Sequence, residues 1–174
     1  MQSHGLLDQV DKLIEHARQI ATQLSAAEGA YVQAQLVQHA CVLTCAALEQ
    51  SIVESASSYA GRVGDERLRG FVAEILKIGR SPSPEYICEV FRRFDARWAS
   101  HLEEFMENEV GADSIKSIVS NRNRIAHGES VSMGVVSLSS WVPAARKLCL
   151  EIYRLTDTAL GDRNQRRKAR RRRR

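Results

Sequence analysis

Along most of the chain, apolar side chains return every third or fourth position, the rhythm of helices that bury one face. The first such stretch is predicted over residues 6–24, where Leu6, Val10, Leu13, Ile14, Ala17, Ile20, Ala21 and Leu24 share a side. Polar residues fill the other side. After Ala27-Glu28-Gly29 a second helix is predicted over residues 30–59. Its apolar positions, from Val32, Leu36 and Val37 through Ala40, Cys41, Leu43, Thr44, Ala47 and Leu48 to Ile52 and Val53, cover more of the circumference. A helix with so little wet surface is either central or covered in part by a second chain.

Gly61 and Gly64 are expected to end that helix, and a shorter one follows over residues 67–78 with Leu68, Phe71, Val72, Ile75 and Leu76. Residues 79–84 hold two prolines in a short polar stretch and read as a linker. Pro84 opens the next helix, over 85–94, and a further helical piece over 96–107 carries Trp98, Leu102, Phe105 and Met106. Asp113 or Ser114 is expected to cap a helix over 115–126 that Gly128 ends. Residues 131–138 read as a loop or a short extended piece. The last helix then starts after Ser139 or Ser140, with Trp141, Ala144, Ala145, Leu148, Ile152, Leu155 and Ala159 on one face. That placement leaves Pro143 in a first turn, where its missing N–H costs little. The expected architecture is all-α: an antiparallel four-helix-bundle core with extra short helices over residues 1–160.

Composition adds limits. A length of 174 residues with 44% hydrophobic content suits one domain with its own core. No apolar run is seen to approach the ~20 residues a bilayer span needs, so no membrane partner is expected. The start lacks a basic and apolar leader pattern, which argues against secretion. Of the four cysteines, Cys41 and Cys45 lie one helical turn apart in an apolar run and read as small core residues, while Cys88 and Cys149 stand alone. A zinc site needs four ligands, usually with a second close pair. No metal and no other cofactor is therefore expected, and reduced thiols place the chain in the cytoplasm.

The net charge of +4 conceals an asymmetry. Residues 163–174 hold nine Arg or Lys and no acid. Without them, 16 Lys and Arg face 21 Asp and Glu, so the body carries −5. Like charge at that density predicts a disordered tail over 161–174. Such a segment reads either as an arm for nucleic acid, through counterion release from phosphates, or as a merely solvated end.

One stretch carries chemistry: Ser120-Asn121-Arg122-Asn123-Arg124-Ile125-Ala126-His127-Gly128. Ile115, Ile118, Val119, Arg122 and Ile125 follow the buried rhythm, with Arg122 about 40° from Ile118 around the helix. A guanidinium in an apolar stripe must snorkel out, pair with an acid or line a cleft. Glu49 and Glu54 on the second helix are candidate partners. His127 falls in the last turn, where the helix dipole favours positive charge; it serves there as a helix cap or as a functional group.

The run Asn121 to Gly128 resembles the signature of HEPN domains, in which an Arg, a polar neighbour and a His follow at this spacing. The second helix, from Leu36 to Glu54, is similar to the second helix of these domains, and the nearest flavour is the RiboL-PSP-type or MAE-type subgroup. The resemblance implies a four-helix core, a homodimer, and a metal-independent endoribonuclease of toxin–antitoxin or antiviral defence systems. It makes Arg122 and His127 a catalytic pair supported by Asn123, with RNA as substrate and an antitoxin or defence-system protein as further partner. It also covers HEPN-like modules that only bind nucleic acid or nucleotide.

The residue types suit the chemistry. Cleavage through the RNA's own 2′-OH needs a proton taken, a proton delivered and phosphate charge stabilised, tasks for an imidazole and a guanidinium. Geometry raises a difficulty, because five residues on a regular helix separate Arg122 and His127 by about 140°. Either the helix unwinds before His127, or two subunits bring their copies together.

Overall fold

The computed structural model describes residues 2–77 and 80–172, with side chains described for residues 3–20, 23–76 and 80–160. Among these the fold is all-α, without a strand. Helix α1 spans Gln2–Gln23 and α2 spans Ala26–Val63; α3 is Glu66–Lys77, α4 is Pro84–Arg92 and α5 is Ala96–Phe105. A π-helical turn, Met106–Val110, leads into α6, Ala112–Ala126, and α7 runs Val135–Arg172.

The long helices α1, α2 and α7 together with α6 form the four-helix core, with α2 in contact with all three others. Leu7, Val10, Ile14 and Ala17 make the buried side of α1; Ile115 and Ile118 that of α6; Leu138, Leu148 and Ile152 that of α7. Burying each of the Leu, Val and Ile side chains fully stabilises the fold by about 1.5–3 kcal/mol. The short helices are attached from the side. Helix α3 packs on α2, and α4 with α5 is tied to α2 by an aromatic cluster in which Tyr59 meets Trp98 edge-on at 4.8 Å and Phe94 at 5.8 Å.

The breadth of apolar surface on α2 is explained within the chain. Thirteen of its residues are buried, from Gly29 to Ala60, with α1, α3, α6 and α7 packed around it. A second chain is not needed to cover it, so that argument for a dimer falls away. Part of α2 is apolar and long enough, by composition alone, to cross a membrane, which the sequence pattern did not suggest; half of that stretch is buried inside the bundle.

Several boundaries differ from expectation for physical reasons. Gly61 does not end α2, which continues to Val63 with Gly64 as its C-cap. A Cβ on Gly64 would lie 2.6 Å from Leu68 Cδ2 and 3.2 Å from the Ala60 carbonyl, so glycine lets the chain enter α3 without moving the Leu68 side chain. Pro84 does open α4, capped by Ser83, whose hydroxyl accepts the Tyr86 N–H at 3.2 Å. Residues 135–138 are helical rather than loop, because α7 begins at Val135 and buries Leu138 completely. Pro143 thus sits inside α7, not in its first turn, and packing of Val142, Ala144 and Ala145 offsets the lost backbone bond. At the other end, α7 is followed to Arg172 in the basic segment, whose side chains lie outside the described residues.

Candidate active site

Helix α6 is positioned by Ile115, Ile118 and Val119, buried against α2 and α7. Neither Asp113 nor Ser114 caps it; the N-cap is Gly111, at φ 76°, reached directly from the π-helical turn. Arg122 lies on the inner side of α6, on the border between core and water, with its side chain 35% exposed. Its guanidinium pairs with an acid and lines a cleft, two of the three outcomes open to it. Nη2 lies 3.4 Å from Glu49 Oε1 on α2, and Nη1 donates to Asn123 Oδ1 at 3.3 Å. Both are long contacts for charged or polar partners, and Glu49 is itself 36% exposed. A pair this wet contributes at most about 1 kcal/mol, so an incoming phosphate can replace the carboxylate cheaply.

Glu54 does not serve Arg122. One of its oxygens accepts from Gln50 Nε2 at 3.1 Å and the other from the Tyr153 hydroxyl, which also meets Ser3 Oγ at 2.8 Å. Burial, then the bond to Glu54, pushes the Tyr153 phenol well above its ordinary range, keeping it a donor. The four cysteines are buried core residues. Desolvation pushes the Cys41 and Cys45 thiols up to about 12 and those of Cys88 and Cys149 to about 11, so none offers a thiolate near neutral pH. Among the described residues no three His, Cys, Asp or Glu side chains converge as metal ligands.

Arg122 and Glu49 stand in the wall of a cleft of about 410 Å³ between α2, α6, the end of α3 and the start of α4. Gln50, Glu54, Arg80, Ser81 and Tyr86 complete its polar lining. Arg80 and Ser81 belong to the stretch read as a plain linker, and Tyr86 had no signal beyond helical propensity. Only the pairing of distant segments brings them to Arg122. Burial raises the Tyr86 phenol as well, so its hydroxyl stays protonated.

His127 is placed differently. It is the C-cap of α6 at φ −88°, ψ 5°, still hydrogen-bonded through its N–H to the Asn123 carbonyl at 3.0 Å. Gly128 follows at φ 72°, and the Gly128 and Glu129 N–H groups close on the Ile125 and Arg124 carbonyls at 3.0 and 2.9 Å. These are the paired bonds of a Schellman stop. The helix therefore does not unwind before His127, and the imidazole stays about 140° around the axis from Arg122. His127 is exposed, outside the cleft lining, with no side-chain hydrogen bond or ion pair among the described residues. One chain thus brings Arg122, Asn123 and Glu49 together and leaves His127 facing outward.

An all-α bundle whose penultimate helix carries Arg122 into a cleft and ends on an exposed His127 fits the HEPN class of domain. The chain belongs to the RiboL-PSP-HEPN family, whose model matches residues 6–157. That membership is consistent with a nuclease or a nucleotide-binding module. Comparison with curated proteins and with solved structures found no match.

Proposed function

We propose that the chain is a metal-independent endoribonuclease that works as a homodimer, in the cytoplasm, as a toxin or antiviral-defence effector held in check by an antitoxin or another protein of its system. The observation that carries this reading is a guanidinium in a nucleotide-sized cleft, loosely held by Glu49, on the same helix that ends in an unengaged His127. Arg122 takes the scissile phosphate from Glu49 and stabilises its developing charge. An imidazole removes the 2′-OH proton as the 2′-oxygen bonds to phosphorus; the P–O5′ bond breaks and the leaving oxygen takes a proton from water. The product ends are a 2′,3′-cyclic phosphate and a 5′-hydroxyl. Two-fold association brings His127 of the partner subunit to Arg122.

The outward-facing His127 also favours a second reading, a non-catalytic module that binds nucleic acid or nucleotide through the cleft alone. Incubating RNA with the wild-type chain and with His127→Ala in EDTA separates the two. The nuclease reading expects cyclic-phosphate ends from wild type and none from the variant. Cleavage that vanishes in EDTA and returns with magnesium contradicts it, and equal inertness of both proteins favours the binding module.

A further inference from the structure

Helix α3 differs from the other helices of the bundle: none of its described side chains, residues 66–76, is buried. Leu68, Phe71 and Ile75, spaced three and four apart, are 41%, 63% and 44% exposed. Other exposed large apolar side chains, such as Tyr31 on α2 and Leu150 on α7, stand singly. Single ones are ordinary on a protein surface, whereas a contiguous stripe rimmed by charge marks a contact surface. The stripe adjoins a groove of about 390 Å³ between α3 and α4, walled by Val72, Ile75, Leu76, Val90 and Phe94. The charged residues of its lining are Arg80 and Arg93, with no acid. Both are about two-thirds exposed and share one carboxylate, Glu89, which lies outside the lining and stands 3.5 Å from Arg80. Two guanidiniums on one carboxylate leave a positive charge and unused N–H donors at the groove. The described charges of α3 do not cancel it, since Glu66 and Glu74 balance Arg67 and Arg69.

We propose that the α3–α4 groove docks an acidic amphipathic helix of the protein that holds this chain in check. This rests on the reading of the chain as a nuclease kept inactive by a partner. Apolar side chains at helical spacing on the partner enter between Phe71, Ile75 and Phe94, and flanking carboxylates meet Arg80 and Arg93. Among the described residues there is no strand whose edge a partner could extend, which leaves helix-in-groove as the available mode. A second copy of this chain fits poorly, because two-fold contact sets the same arginine-edged groove against itself with no acid in the lining. The groove shares Leu76, Arg80 and Tyr86 with the Arg122 cleft. A helix seated there lies against the cleft and hinders entry of RNA, so docking and inhibition are one event.

The test pans a display library of random peptides of about sixteen residues, some four helical turns, against the immobilised full chain. The library is first depleted on a Phe71→Ala, Ile75→Ala double variant, which should fold because both side chains are largely exposed. Retained peptides should carry large apolar residues three and four apart and a net negative charge. By fluorescence anisotropy, Phe71→Ala should weaken a retained peptide about thirtyfold, the scale of a lost hot spot. Arg93→Glu should weaken it about tenfold, and a peptide with Lys in place of Glu should then prefer that variant to wild type. No peptide retained by wild type over the double variant, a basic set of retained peptides, or unchanged affinity in folded Phe71→Ala overturns the proposal. So does loss of a wild-type dimer in Phe71→Ala by light scattering, which assigns the groove to a second copy. Binding to phosphatidylserine vesicles that Phe71→Ala abolishes assigns it to a membrane and also overturns it. RNA cleavage is read separately. Phe71→Ala should cut like wild type, and a retained peptide should inhibit wild type but not this variant; a peptide that binds the groove without inhibiting overturns the inhibitory role. Peptide docking on a chain that cuts no RNA keeps the surface and removes the nuclease, whereas cleavage by a chain that retains no acidic helix does the reverse.

Discussion

Two carboxylates in this bundle hold cations, and they do so in opposite ways. Glu151 on α7 is 6% exposed and bound tightly, with His101 Nε2 at 2.6 Å and Arg154 at 2.9 and 3.0 Å. Glu49 on α2 is a third exposed, meets Arg122 at 3.4 Å, and opens on a cleft. Burial alone pushes the Glu151 carboxyl upward, but the bonds from Arg154 and His101 outweigh it and hold the group below its ordinary value. The Glu151 cluster has its hydrogen-bonding capacity met by neighbours and serves the fold. The Glu49–Arg122 pair is weak enough to be exchanged for a ligand. What distinguishes a site from a strut here is not residue type but how completely the charges are satisfied.

Substitutions sharpen that contrast. Among single changes, His127→Ala should have the largest effect, lowering cleavage by about 10²–10⁴-fold, the range for a lost general acid–base group. Its melting temperature should stay near wild type, since the side chain is exposed. Arg122→Ala should lower kcat by about 10²–10³-fold while costing no more than about 1 kcal/mol of stability, read from denaturant midpoints. Glu151→Gln should reverse the pattern, with cleavage near wild type and stability down by about 1–2 kcal/mol. Loss of cleavage in a folded Glu151→Gln protein breaks the comparison.

The same comparison predicts a dependence on acid. A carboxyl whose folded value is depressed contributes stability that is fully present above its unfolded value, 4.5 for Glu151, and is lost as pH falls through the folded value. Wild type should therefore lose stability more steeply below that point than Glu151→Gln, by urea denaturation at stepped pH. A smaller effect is expected from Glu49→Ala, a several-fold drop in kcat as Arg122 loses its orienting partner, with Glu49→Gln closer to wild type. Deleting residues 163–174 should leave turnover at saturating RNA nearly unchanged and flatten the salt dependence of binding.

Helical rhythm was enough to read the bundle, because α1, α2 and α6 each bury a stripe that recurs every three or four residues. It was insufficient where packing overrode local pattern. Residues 135–138, Val-Val-Ser-Leu, are too short a run to show a period alone, and the burial of Leu138 draws them into α7. The angle between Arg122 and His127 was legible from spacing alone, and the Schellman stop at Gly128 preserves it. Glu49 and Glu54 were indistinguishable as partners, because only the fold decides that Tyr153, 99 residues away, meets Glu54. Arg80, Ser81 and Tyr86 gave no signal at all, since their proximity to Arg122 comes from the return of the chain after α3.

The central claim is that cleavage needs Arg122 and His127 from different subunits, and subunit mixing tests it most directly. His127→Ala and Arg122→Ala, each inactive alone, are unfolded, mixed and refolded together, and formation of the mixed dimer is verified by mass. Pairing across subunits gives each mixed dimer one intact site, so an equal mixture should recover about a quarter of wild-type activity. A verified mixed dimer with no activity, or a wild-type monomer that cleaves RNA, contradicts the account.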